Sequence, residues 1–173
     1  MGRSIGSWIL SLVLCGLSFE VASATVLLPA DFETVVTGSP LIVHGRVVEV
    51  RSALTGPRRA IESVVTLSVI ESLKGNPGAT VAFKVPNGQV GRYRRILVGA
   101  PEFEAGDEVV VFLHARAPAL PPLFGLSQGV YRVAGEGARR VVRGDGARGD
   151  RVRQPVAIDA FTRDVRAVMA RVR

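Results

Sequence analysis

Cysteine and histidine are scarce in this sequence, and their scarcity excludes several kinds of site. The chain has one cysteine, Cys15, so it can form no disulfide within itself and offers no set of cysteine ligands for a metal. The two histidines, His44 and His114, have no second histidine or carboxylate cluster at ligand spacing. We therefore predict no metal and no cofactor, with His44 on the face of a strand and His114 at the end of one.

Residues typical of catalysis also lack the spacing that catalysis needs. Ser39 lies between Gly and Pro, and Ser127 lies between Leu and Gln, so neither has the sequence of a nucleophile turn. Four acidic residues precede an apolar run, and we expect them to form solvated ion pairs with Arg92, Arg94 and Arg95 rather than an acid/base pair. The four are Glu102, Glu104, Asp107 and Glu108. The sequence thus predicts a protein that is not an enzyme, since a small hydrolase would need a catalytic pair.

Acidic residues are outnumbered by basic ones. The formal net charge is +7 and the sequence pI is about 10.9. Lys74 and Lys84 are the only lysines, so arginine carries this charge. Such a surface attracts anionic partners such as lipid head groups, envelope polysaccharide, acidic proteins or nucleic acid. An arginine bias from GC-rich codons explains the same composition, and the sequence leaves both explanations open.

The first 24 residues have the pattern of a cleaved secretory signal. Arg3 precedes an apolar run over residues 5–17, and small residues at 22–24 end the stretch. The run is too short to span a bilayer. A lipoprotein signal is the alternative because Cys15 lies near the end of the run, but Leu14 precedes it where lipid attachment normally requires Gly or Ala.

Cleavage after Ala24 predicts an exported protein, periplasmic or extracellular, that consists of residues 25–173. A chain of this length folds as one domain and buries enough apolar surface to be stable without disulfides. We expect a monomer with no transmembrane segment after cleavage. Residues 143–155 are rich in Gly, Asp and Arg, which is typical of a mobile loop.

Short segments rich in β-branched residues alternate with turns along most of the chain. Apolar residues at helical spacing around Val35 predict a short helix with Pro29 in its first turn, ending at Gly38. In the next segment the alternation changes face near Gly45 and Arg46, as it does at a β-bulge. Predicted strands cover residues 41–50, 61–72, 81–85, 92–98, 109–113, 130–133 and 139–142.

Two later segments predict where the core lies. The continuous apolar run at 109–113 favours a strand covered on both faces, and Phe103 is the expected buried anchor of the loop before it. Apolar residues three and four apart predict an amphipathic helix over 158–173. We expect this helix to pack on the apolar strand through Phe161, Val165 and Val168.

Together these elements favour a mainly β fold. We predict a small OB-like β-barrel of about six strands with a short N-terminal helix and an amphipathic C-terminal helix. A glycine within the first strand favours a barrel over a flat sandwich, because barrel strands bend between two halves of the sheet.

Four blocks, at residues 43–47, 71–75, 99–113 and 125–133, carry a family resemblance. Their order resembles a family of small exported bacterial proteins of unknown function. More distantly, a strand with a central Gly, a strand ending in Lys-Gly and a Gly turn before an apolar strand are similar to the netrin-like module. That module is the OB-type barrel of the tissue inhibitors of metalloproteinases. The resemblance implies a barrel, but those inhibitors present an N-terminal cysteine to the protease zinc, and residues 25–173 contain none.

A basic stretch near the middle of the chain is the candidate functional site. Arg92, Tyr93, Arg94 and Arg95 follow Gly91, and together they offer three guanidinium groups and an aromatic ring on a flexible hairpin. This combination predicts a site for an anion or a partner, and a plain exposed hairpin is the alternative. The secretory signal and the 6% aromatic content disfavour nucleic acid. Strand alternation places Arg92 and Arg94 on one side and Arg95 on the other.

The sequence as a whole predicts an exported, non-enzymatic binding or accessory module for a protein partner or an anionic envelope component. The alternative is an inhibitor of a secreted protease, or a domain associated with one. This alternative depends on the netrin-like resemblance alone, and one fold hosts many functions.

Overall fold

A computed structural model describes residues 29–57, 59–114, 121–135, 141–144 and 155–172. The described chain is mainly β, with one helix near each end. The helices are α1 (Phe32–Gly38) and α2 (Ile158–Arg171), and a short 3-10 helix spans Leu126–Gly129. The strands are β1 (Leu41–Thr55), β2 (Ala60–Lys74), β3 (Thr80–Val85), β4 (Gly88–Val90), β5 (Tyr93–Arg95), β6 (Glu108–Leu113), β7 (Val130–Ala134), β8 (Val141–Gly144) and β9 (Val156–Ala157).

Seven of these strands form one sheet in the order β3-β2-β1-β6-β7-β8-β9, and every neighbouring pair is antiparallel. Strands β4 and β5 form a separate antiparallel hairpin. Each strand predicted from the sequence has a counterpart, but Arg92 and residues 96–98 of the expected 92–98 strand are not in a strand. Residues 139–140 of the expected 139–142 strand lie outside the described residues.

Strand β1 bends along its length, as the change of alternation predicts. Its pairing with β2 shifts register between Ile42 and Val43, between His44 and Gly45, and between Val47 and Glu49. A β-carbon at Gly45 would lie 2.7 Å from the backbone oxygen of Ser68. The close approach of β2 therefore requires glycine at this position.

Strand β6 is covered on both faces, which confirms the prediction for the apolar run. Val109, Val111 and Leu113 belong to one cluster of buried side chains, which strand residues form together with Phe103 and Leu123. Val110 and Phe112 belong to a second cluster, which also contains side chains of both helices. In the second cluster Phe161, Val165 and Val168 of α2 are buried, as expected from their spacing.

The helix boundaries differ slightly from the sequence prediction. Helix α1 begins at Phe32 rather than near Pro29, because the side chain of Asp31 accepts a hydrogen bond from the backbone N–H of Thr34 and caps the helix. That contact, 2.7 Å long, lowers the pKa of Asp31 below its ordinary value. Helix α2 begins at Ile158 as predicted.

Several predictions fall on residues that are not described. The signal at 1–24 and its cleavage site lie outside the described residues, and so do residues 145–154 of the expected mobile loop. The start of the expected loop has assigned structure, since Arg143 and Gly144 lie in β8. The buried position expected for Phe103 is confirmed, because its ring packs on Phe83 with centroids 5.4 Å apart.

Candidate functional site

The predicted site lies on the β4–β5 hairpin, which is attached to the main sheet at two points. The backbone N–H of Gln89 in β4 donates to the hydroxyl of Ser52 in β1 at 3.2 Å. The guanidinium of Arg95 in β5 donates to the carbonyl oxygen of Ile61 in β2 at 3.3 Å. Gly91, with a φ of 58°, supplies the left-handed backbone conformation of the turn between β4 and β5. The hairpin is thus held against the sheet by its base.

Arg92 and Tyr93 form a single unit at the turn of this hairpin. The Arg92 guanidinium donates to the Tyr93 hydroxyl at 3.0 Å, and its central carbon lies 5.2 Å from the centre of the ring. Tyr93 remains 62% exposed. Among the described residues no carboxylate pairs with Arg92, so its positive charge faces the solvent without local compensation.

Arg94 and Arg95 have different surroundings from Arg92. Arg94 forms an exposed ion pair with Glu102, with 2.6 Å between nitrogen and oxygen. Arg95 is half-buried against β2 through its contact with Ile61. Arg92 precedes β5, so strand alternation does not determine its direction. The four predicted residues are adjacent, but they do not act as one cluster of three free arginines.

The sequence reasoning missed an apolar turn directly after the hairpin. The backbone N–H of Ala100 donates to the carbonyl oxygen of Leu97 at 3.0 Å, which closes a tight turn with Val98 and Gly99 at its corner. Ile96 is 67% exposed and Val98 is 92% exposed. The sequence does contain a signal for this turn, since the apolar residues 96–98 are followed directly by Gly99. These three residues were predicted to belong to the 92–98 strand.

We call Arg92, Tyr93, Ile96, Leu97 and Val98 the hairpin surface. Its members share exposure and lie within seven consecutive positions of the chain. Exposed apolar side chains that occur together mark contact surfaces for a protein or a membrane more often than those that occur singly. The hairpin surface combines such side chains with an arginine that no described carboxylate neutralises.

A second polar cluster joins β1 to β6, and the sequence did not predict it. Nε2 of His44 lies 2.8 Å from one carboxylate oxygen of Glu108, and Arg46 binds the other oxygen at 2.9 Å. The side chain of His44 is 4% exposed and that of Glu108 is 12% exposed. His44 also lines a cleft of about 350 Å³ beneath the first turns of α2, together with Thr162 and Arg163.

The four acidic residues at 102–108 mostly have partners other than the hairpin arginines that the sequence suggested. Of the predicted pairings with the hairpin arginines, only that of Arg94 with Glu102 is present among the described residues. Asp107 instead pairs with Arg132 of β7 at 2.8 Å. These residues tie strands together, and the arrangement resembles a structural ion-pair surface more than an acid/base pair.

Candidates for other kinds of site are few in the described part of the chain. No group of three His, Cys, Asp or Glu side chains there is placed to hold a metal ion. His114 directly follows β6, and its ring stacks on Phe124 with centroids 4.9 Å apart. Of the helices described, none has both the length and the apolar character needed to cross a membrane.

Comparison of the chain with protein-family models, with curated proteins and with solved structures finds no match. The resemblance to the netrin-like module therefore stays a prediction. The function has to be argued from the geometry of the hairpin surface itself.

Proposed function

We propose that this chain is an exported, non-enzymatic binding module that attaches to an anionic lipid surface through its hairpin surface. The observation that carries the proposal is the exposure of Ile96 and Val98 within a few positions of Arg92, whose guanidinium pairs with no carboxylate of the described residues. Apolar side chains with an adjacent cation suit the boundary between charged head groups and acyl chains. Tyr93 has the mixed polar and apolar character that is common at that depth.

The strength of such attachment is expected to be modest. Complete burial of a Val, Leu or Ile side chain contributes about 1.5 to 3 kcal/mol. An arginine near an anionic lipid surface contributes about 1 kcal/mol. Partial insertion of two aliphatic side chains with one arginine therefore supports reversible binding. The other arginines of this chain, with its net charge of +7, add a longer-range attraction.

We also propose that the sheet closes into an OB-type barrel, and the strand pairing supports this. β1 pairs with both β2 and β6. The segment at 122–123 connects β6 with β3. Leu123 pairs antiparallel with Leu113 of β6, and Pro122 pairs parallel with Lys84 of β3. The pairings thus run around a ring of β1, β2, β3, this segment and β6. A ring of five members fits a small, partly open Greek-key barrel.

Export is a separate part of the proposal, and it rests on the signal pattern at residues 1–24. Mass spectrometry of the protein recovered from the envelope of its host tests it. We expect an N-terminus at Thr25. A lipidated Cys15 would replace this reading with membrane anchoring by a lipid, and an intact N-terminus in the cytoplasm would overturn export.

Co-sedimentation with lipid vesicles tests the attachment. Vesicles of phosphatidylglycerol should bind the purified protein, vesicles of phosphatidylcholine should bind it far less, and added salt should weaken the binding. Val98→Ser should reduce the bound fraction severalfold. The matched control is Val48→Ser. Val48 is an exposed valine of β1, far from the hairpin surface in the sequence, and its replacement should change vesicle binding little.

Two results would overturn the proposal. One is equal loss of binding in the Val98 and Val48 variants, which would point to general surface apolarity. The other is no binding to anionic vesicles at low salt, which would favour a protein partner for the hairpin surface. Protease inhibition has no support beyond the netrin-like resemblance and is not proposed further.

A further inference from the structure

A groove of about 550 Å³ lies between the end of β2, the end of α1 and the C-terminal half of α2. Leu73 and Lys74 of β2 line it on one side, and Met169 and Val172 line it on the other. Val172 is 57% exposed and Met169 is half-buried, so the apolar wall is open to solvent. The volume lies in the range of small-molecule sites.

Lys74 lines this groove, and no carboxylate in the described part of the chain pairs with its ammonium group. Nζ donates to the carbonyl oxygens of Val36 and Thr37, at 2.9 Å and 3.3 Å, at the end of α1. An ammonium group has three N–H donors, and within the described residues the third has no acceptor. Burial without a compensating negative charge lowers the pKa of Lys74.

The neighbouring cation at the groove is already neutralised. Arg166 pairs with Glu71 at 2.5 Å. Lys84, the other lysine of the chain, pairs with Glu62 at 3.5 Å. Lys74 is thus the lysine that lacks a described carboxylate partner, and it stands beside an apolar wall.

We propose that the groove binds an anionic amphiphile with a single aliphatic chain. Its head group accepts the third hydrogen bond of Lys74, and its chain lies against Leu73, Met169 and Val172. Two properties of the groove select this ligand: a half-buried positive charge with a free donor, and an aliphatic wall that extends from it. The groove shares no residue with the hairpin surface, so this inference is independent of attachment to a lipid surface.

Titration with decanoate, below its critical micelle concentration, and with decanol, below its solubility limit, tests the proposal. The two probes have the same chain length and differ in the charge of the head group. Decanoate should bind at least about tenfold more tightly, as a hydrogen bond to a charged group implies. Lengthening the carboxylate should tighten binding roughly fourfold per methylene, the change that about 0.8 kcal/mol per buried methylene produces.

Two lysine variants locate the head group. Lys74→Gln can still donate to the carbonyl oxygens of α1 but has no charge, and it should bind decanoate roughly tenfold more weakly while binding decanol as before. Lys84→Gln is the matched control and should bind both probes as the parent does. Arg92→Ser, which alters the hairpin surface, should also bind decanoate normally.

Titration of the unaltered protein keeps the test valid if Lys74→Gln does not fold. Nuclear magnetic resonance of the protein with isotope-labelled, chemically unmodified lysine follows the Lys74 side chain directly. Decanoate should raise the pKa of Lys74, because a bound anion favours the charged ammonium. Equal affinity for decanol and decanoate, no shift at Lys74, or loss of decanoate binding in Arg92→Ser would each overturn the proposal.

Discussion

Nε2 of His44 and a carboxylate oxygen of Glu108 lie 2.8 Å apart, although 64 positions separate these residues in the sequence. The contact joins β1 to β6, which pair so that Arg46 lies opposite Glu108. Arg46 binds the second carboxylate oxygen, so Glu108 holds two side chains of the same strand. The cluster therefore ties together two neighbouring strands near the middle of the sheet, next to the cleft beneath α2.

Removal of this carboxylate is expected to destabilise the fold. Glu108→Ala should lower the free energy of unfolding by about 1 to 3 kcal/mol, because it takes a hydrogen-bond partner from the buried His44. Glu102→Ala is the control. It removes a carboxylate from an exposed ion pair with Arg94 and should cost no more than about 1 kcal/mol. Urea unfolding measures both, and equal values would contradict a structural role for the His44 contact.

The packing of α2 on the sheet makes a second prediction. Phe161 is fully buried, and its ring meets that of Phe112 with centroids 6.4 Å apart in an edge-to-face arrangement. Phe161→Ala should lower the free energy of unfolding by about 3 to 5 kcal/mol, because apolar burial is lost and a cavity remains. Val172→Ala, at an exposed position, should change stability by less than about 0.5 kcal/mol. An unchanged unfolding midpoint for Phe161→Ala would mean that α2 does not pack there in solution.

The arginines of the hairpin should contribute unequally to the binding of anionic vesicles. Arg92→Ser should weaken binding more than Arg94→Ser, because Glu102 already offsets the charge of Arg94. Glu102→Gln should strengthen binding for the same reason. Arg171→Ser removes one positive charge from α2 and serves as the control. If all three arginine variants lose binding equally, diffuse net charge rather than the hairpin surface attracts the vesicles.

Gly45 should not tolerate a side chain. Gly45→Ala places a methyl group 2.7 Å from the backbone oxygen of Ser68, and the strand must shift to relieve this contact. We expect the free energy of unfolding to fall by about 1 to 3 kcal/mol, the usual cost of overpacking. At Gly144, in contrast, an added β-carbon would meet the ring of Tyr131 at an ordinary 3.6 Å. Gly144→Ala should therefore unfold at nearly the parent's denaturant midpoint, and a comparable loss in both variants would contradict the close approach at Gly45.

The cap of α1 predicts a dependence on pH. The pKa of Asp31 is lowered below 3.8 in the folded chain by its hydrogen bond to Thr34. Its stabilising effect is therefore complete above the unfolded value and is lost as the pH falls through the lower, folded value. Asp31→Asn keeps an acceptor oxygen but removes the titration. The melting temperatures of the parent and this variant should differ at neutral pH and converge in strong acid, and a constant difference would contradict the shift.

Local pattern was sufficient to predict most of the strands and the C-terminal helix. The spacing of Phe161, Val165 and Val168 determines the face that α2 buries, and a run without polar residues determines that β6 is covered on both sides. These features depend on residues within a few positions of one another, and the periodicity of a helix or strand reports them directly. The start of α1 was placed too early, because the pattern around Pro29 does not show that Asp31 forms the cap.

The sequence also predicted which residues form the candidate site on the hairpin, but it did not predict their contacts or exposure. The sequence located Arg92 and Tyr93 as a candidate site, but only the tertiary structure pairs Arg94 with Glu102 and exposes Val98 at the corner of a turn. Likewise, nothing local to His44 indicates Glu108. Such contacts depend on how distant segments of the chain pair across the sheet, and strand register is a property of the whole fold rather than of any one segment.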